Sequence, residues 1–159
     1  MNRQFRRLPL LGGRSTRPLD QHAVNRVSST FLGLDRDVRN VRYDEGARTV
    51  FRVVAAEDSE TGEEFGEIVF GPDIYPGGNI ANPNSSLSMR AAAAHELAHY
   101  HRWLNRTELD GEHLRHLDEA MTSLEAVQRY GHHLDYIEIG QLIGDALHRL
   151  GLHMAPVVE

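Results

Sequence analysis

Cysteine is absent from all 159 residues, and so is lysine. Without thiols the chain forms no disulfide, offers no thiolate to zinc and has no sulfur nucleophile. The same absence fits a reducing compartment. Long hydrophobic runs are missing as well. The opening "MNRQFRRLPLLGG" is basic and then apolar for too few residues to form a signal-peptide core. No stretch approaches the roughly 20 residues of a membrane span. The expectation is a cytoplasmic protein that does not touch a membrane.

What is present is ordinary for a folded domain. Hydrophobic residues at 40% and charged residues at 25% predict a single domain over residues 1–159, with a core large enough to need no staples. The net charge of −6 conceals an asymmetry: residues 1–52 hold eleven arginines against five acids, and the rest holds six against eighteen. The basic first third is read as a solvated face. Contact with nucleic acid or an acidic partner is the alternative that such a balance raises.

The periodicity changes along the chain. Residues 1–16 read as a loose arm. In "RPLDQHAVNRVSSTFLG", Leu19, Ala23, Val27 and Phe31 recur every four residues, between Pro18 as a start signal and Gly33 as a stop. "VRNVRYDEGARTVFRVVAAED" reads as two strands around a Glu45-Gly46 turn, and "EFGEIVFG" as a third after a turn at Gly62. A loop rich in proline and glycine follows. Three helices are then predicted: Leu87 to Leu104 behind Ser85 or Ser86 as cap, Gly111 to Tyr130, and a last one closing at Gly151. The fold class is α+β: an N-terminal helix, a small antiparallel three-stranded sheet and a helical half.

Inside the first of those helices stands "AAAAHELAHY". Residues four apart share a helical face, so His95 and His99 can ligate one metal ion, with Glu96 turned about 100° from them and free to act as a base. Two imidazoles and one more side chain, with a position left for water, are what zinc hydrolysis needs. The alanine run favours helix. An apolar stripe of Met89, Ala93, Leu97, Tyr100 and Leu104 lies roughly opposite His95, which turns the histidines toward a cleft.

The third ligand must be acidic. Arg102 and Asn105 stand where other zinc patterns place glycine and histidine, and a cysteine ligand is excluded. In "HLRHLDEAMTSLEAVQRY" the predicted buried stripe is Leu114, Leu117, Met121 and Leu124. Glu119 lies on the other face with Ser123 and Ala126, where two helices can approach through small residues. Glu119 is therefore the first choice and Glu125 the second. Asp118 is a candidate to hold a ligand histidine by its other ring nitrogen. Tyr130, His132 and His133 are candidates to stabilise a transition state, against the plainer reading that they cap a helix end. His113 and His116, without a carboxylate partner, are not expected to form a second site.

"HELAH" followed about twenty residues later by "DEAMTSLEA" resembles the gluzincins, zinc peptidases whose third ligand is a glutamate on a following helix. The order of elements over residues 64–126 is most similar to the compact ImmA/IrrE-type metallopeptidases. That resemblance implies a minimal zincin-like fold, an edge strand "FGEIVF" that receives an extended peptide, one Zn²⁺ per chain, and a regulatory protein such as a transcriptional regulator as substrate. The expected function is a zinc metallopeptidase acting narrowly on a dedicated protein partner. The alternative is a non-catalytic zinc-binding regulatory or interaction protein, associated with a transcriptional regulator or DNA, whose metal is closed off by four protein ligands.

Overall fold

The computed structural model describes residues 15–56, 62–76 and 87–155. Helix α1, Gln21–Leu34, begins at Asp20, whose carboxylate accepts the N–H of Ala23 at 2.8 Å. Asp20, rather than Pro18, is thus the start signal that acts. Ala23, Val27, Phe31 and Leu34 form its buried stripe, and Gly33 lies inside the last turn.

Three strands follow: β1, Val41–Tyr43; β2, Val50–Ala55; and β3, Glu64–Phe70. Their order is β1-β3-β2, with β3 parallel to β1 and antiparallel to β2. The sheet is mixed, not antiparallel, and the hairpin expected around Glu45-Gly46 does not pair. Burial explains the order. Ile68, Val69 and Phe70 are fully buried, whereas no residue of β2 is, so the strand with the continuous buried run takes the centre. The stretch expected to be an edge strand is therefore covered on both sides. Among the described residues, the outer edges of the sheet are those of β1 and β2, and the β2 edge is the one that meets α2, through the Phe51 N–H. Gly71 fixes the crossing of chains here: a Cβ would lie 1.8 Å from the carbonyl oxygen of Ala47, which only glycine allows.

Helix α2, Met89–Leu104, is capped by Ser88, whose hydroxyl accepts from the N–H of Ala91. Ser85 and Ser86, the expected caps, lie outside the described residues. Ala91 to Ala94, Leu97 and Ala98 are all buried, because α2 is enclosed by α1, the sheet and the later helices. The single apolar stripe expected for it is thus too narrow. Alanine on every side lets neighbours approach closely.

Helix α3, Arg115–Tyr130, follows a 3-10 turn over Glu112–Leu114. It buries Ala120, Thr122, Ser123, Ala126 and Tyr130, while Met121 and Leu124 stay 39% and 46% exposed. The expected leucine stripe is therefore not the core face. Small residues meet the alanine surface of α2, and that close contact decides the orientation. Helix α4, Tyr136–Met154, opens with a capping box of Asp135 and Glu138 and runs through Gly151 rather than ending there. The whole is α+β, with four α-helices and a three-stranded mixed sheet among the described residues. No described helix is long and apolar enough to cross a membrane.

Candidate metal centre

One turn of α2 separates His95 from His99, and their rings lie 4.7 Å apart, edge to face. Glu119 reaches them from α3. Its Oε2 is 2.9 Å from His95 Nε2 and 3.2 Å from His99 Nε2. The three ligand atoms lie within 4.8 Å of one another, and among the described residues no other group of this kind forms. Glu119 is carried there by the small-residue face of α3, which lets the two backbones approach. The three side chains sit on the wall of an open cleft of about 950 Å³, bounded on the strand side by residues 47–51 and across from it by Glu108, Arg115 and Arg149.

The second ring nitrogen of each histidine is also held. Ser123 donates to Asp145 Oδ2 at 2.6 Å, and Asp145 is ion-paired with Arg149 at 3.4 Å. With its proton so committed, Ser123 faces His95 Nδ1 at 2.8 Å as an acceptor. Thr122 likewise donates to the carbonyl of Asp118 at 2.8 Å and lies 3.5 Å from His99 Nδ1. These oxygens favour the tautomer with Nδ1–H pointing outward, at 2.8 Å for His95 and at the longer 3.5 Å for His99, which leaves each Nε2 lone pair aimed at a carboxylate. Three electron-pair donors converging on one point repel one another unless a cation stands between them. A proton or a metal ion satisfies the arrangement, and nothing else in the donor set does.

The charges around the point agree. Burial works against a charged His99, but Glu119 and Glu96 outweigh it and raise its pKa. Burial also opposes the charge on Glu119, yet the two histidines hold its carboxyl far below the ordinary range. Without a metal, the chain keeps a proton where a cation belongs.

Glu96 is buried beside the ligands. Its Oε2 accepts the backbone N–H of Phe51 at 2.8 Å, which latches the free edge of β2 to α2. Burial raises its pKa, aided by the charge of Glu119 and opposed by His99, His95 and the Phe51 N–H. The ring of Phe51 lies nearly parallel to that of His99, with centroids 6.4 Å apart, and edge-on to Tyr100.

Of the remaining sequence candidates, Asp118 alone lines the cleft. Asp118 accepts from Arg102 and from the N–H of Leu109 and holds neither histidine; Ser123 and Thr122 occupy that role. Glu125 pairs with Arg129 one turn along α3. Tyr130 donates to Asp35 at 2.7 Å, an oxygen that His101 also meets. This fastens α1 to α2 and α3 but does not line the cleft. His132 and His133 are exposed in the 3-10 turn after α3, with ring centroids 4.0 Å apart. Ser123, Thr122, Asp145, Arg149 and the Phe51 N–H were not anticipated from the sequence. Thr122 and Ser123 carry a readable signal, since they follow Glu119 at three and four residues and so share its face. The contribution of α4 carries none.

No protein-family model, curated protein sequence or solved structure matches the chain.

Proposed function

We propose that this chain is a zinc metallopeptidase of the HExxH type with a minimal zincin-like fold. The observation that carries the reading is the convergence of two Nε2 lone pairs and one carboxylate beside a buried glutamate in an open cleft. His95, His99 and Glu119 would hold one Zn²⁺. Among the described residues no fourth protein ligand joins them, which favours catalysis over a closed structural site. When bound, zinc supplies Lewis acidity and makes water acidic enough to react near neutral pH.

The residues of the chain supply the rest. Glu96 Oε2 is engaged by Phe51, so Oε1 is the atom that takes the proton of the attacking water. The raised pKa of Glu96 suits a group that first accepts a proton and then returns it. As the water oxygen bonds to the peptide carbon, the carbonyl electron pair moves onto its oxygen. The carbonyl then re-forms, the C–N bond breaks, and the leaving nitrogen takes the proton from Glu96. The free edge of β2, rather than β3, aligns an extended substrate by backbone hydrogen bonds. Ser123 and Thr122 favour one tautomer of the ligand histidines throughout.

The substrate we propose is a dedicated protein partner, with a transcriptional regulator as the leading class, and the setting is the cytoplasm. Broad cleavage of casein abolished by chelation would sink the narrow specificity. The decisive test is metal content. We expect about one zinc per chain in the wild-type protein and in Glu125→Ala, and none in Glu119→Ala. A wild-type chain that stays folded and binds no metal would remove the reading altogether.

A further inference from the structure

The cleft contains a charge that the ligand set does not require. Of the three arginines on its wall, Arg48 is exposed, and Arg115 is largely exposed and pairs with Glu112 at the surface. Arg149 is different. Its side chain is only 20% exposed, and its Nε is held between both oxygens of Asp145, itself 5% exposed, at 3.4 Å. Its Nη1 stands 3.8 Å from Glu119 Oε2. A fixed cation so close to a metal ligand repels the metal and weakens its hold. Asp145 offsets part of that charge, but the Nη groups still face a cleft built to receive substrate. An arginine kept there at a cost in metal affinity makes physical sense if an anion is to be bound beside the metal.

We propose that Arg149 is a catalytic residue which holds the anionic oxygen formed on the substrate carbonyl as water adds to it. This rests on the peptidase reading above. The guanidinium suits the task because Asp145 fixes its plane through Nε and leaves the remaining N–H groups in a rigid fork. It is already in place before charge develops, which is the condition for electrostatic stabilisation to lower a barrier. Tyr130, His132 and His133, the donors considered from sequence, are absent from the cleft wall. Arg149 fills the position they would have filled, and it comes from α4, an element that supplies no metal ligand.

The test uses inorganic phosphate, a tetrahedral anion, as probe. Protein loaded with cobalt(II) is titrated with phosphate while its visible spectrum is followed, for wild type, Arg149→Met and Arg149→Lys. We expect phosphate to bind the wild type, to bind Arg149→Met about tenfold more weakly or worse, and to bind Arg149→Lys in between. Cobalt affinity should be equal or higher in Arg149→Met, because a neighbouring positive charge is gone. A purely structural Arg149 would instead lower metal and phosphate affinity together, which overturns the proposal. So does phosphate binding that ignores the substitutions, or no phosphate binding by the wild type. If Arg149→Met does not fold, the Arg149→Lys comparison decides. A wild-type chain that binds neither cobalt nor zinc removes the peptidase reading and this proposal with it, whereas intact metal binding with unchanged phosphate affinity removes this proposal alone.

Discussion

Helix α2 carries two buried polar clusters, and they are built on opposite principles. At its N-terminus, Glu138 of α4 accepts from the hydroxyl of Ser88 at 2.6 Å and from the guanidinium of Arg90. Every acceptor there faces a donor, and the chain supplies the balancing cation itself. Two turns on, His95, His99 and Glu119 converge with their lone pairs inward, and their outward N–H groups are taken by Ser123 and Thr122. The first cluster is closed and holds two helices together. The second leaves two imidazole nitrogens and a carboxylate oxygen facing one point, with the guanidinium of Arg149 only at its margin, 3.8 Å from Glu119 Oε2. Buried polarity alone therefore does not mark a site; polarity left incomplete on the inner side does.

The comparison can be broken most sharply at Glu96. Replacing it by glutamine should leave metal content and folding intact while peptide hydrolysis falls by roughly 100- to 10,000-fold, read by metal analysis beside cleavage of the partner protein. A loss of metal, or full activity, would place Glu96 outside the proposed chemistry. Next in size is Ser123→Ala, which frees the Nδ1 of His95. Zinc affinity measured against a competing chelator should drop about 10- to 100-fold, with the far-ultraviolet dichroism spectrum unchanged. An unaltered affinity would mean that Ser123 only fills space.

At the closed cluster the expectation inverts: stability changes and metal binding does not. Glu138→Gln should lower unfolding free energy by about 1–3 kcal/mol at neutral pH, followed by urea denaturation. Burial opposes the charge on Glu138, but hydrogen bonds from Arg90 and Ser88 outweigh it and lower its pKa below the ordinary 4.5. A lowered folded-state pKa gives stability that is present above pH 4.5 and is lost as pH falls through the lower folded value. The difference between wild type and variant should therefore be constant from pH 7 to about 5.5 and shrink below 4.5. A gap that widened toward low pH would contradict the ion-pair account. The smallest effect belongs to Leu124→Gln on the outer face of α3. A change within about 0.5 kcal/mol is expected, although the periodicity of the sequence places Leu124 in the core. A loss of several kcal/mol would show that this face is covered.

Legibility in the sequence follows the range of the interaction. The pair His95 and His99 is readable because its spacing lies within one helical turn. The same holds for the stripe of α1 and for the phase of Glu119 with Ser123 and Ala126. The strand order is not readable: β1 and β2 are neighbours in sequence, yet each pairs with β3, whose burial depends on what α1 and α2 lay over it. The inward face of α3 is not readable either. Hydrophobic periodicity favours its leucines, and the small residues win only because α2 presents alanines that admit a close helix.

The sequence by itself determined that a helix places two imidazoles and a glutamate together, that an acidic residue on the next helix can join them, and that thiol chemistry is excluded. These follow from helical geometry and composition. Only the tertiary structure decided which nitrogen of each histidine faces inward, that β2 is the free edge beside the cleft, and that Arg149 stands next to Glu119. Each of those depends on contacts between elements far apart in the chain, where the packing of small side chains, and not local spacing, sets the distances.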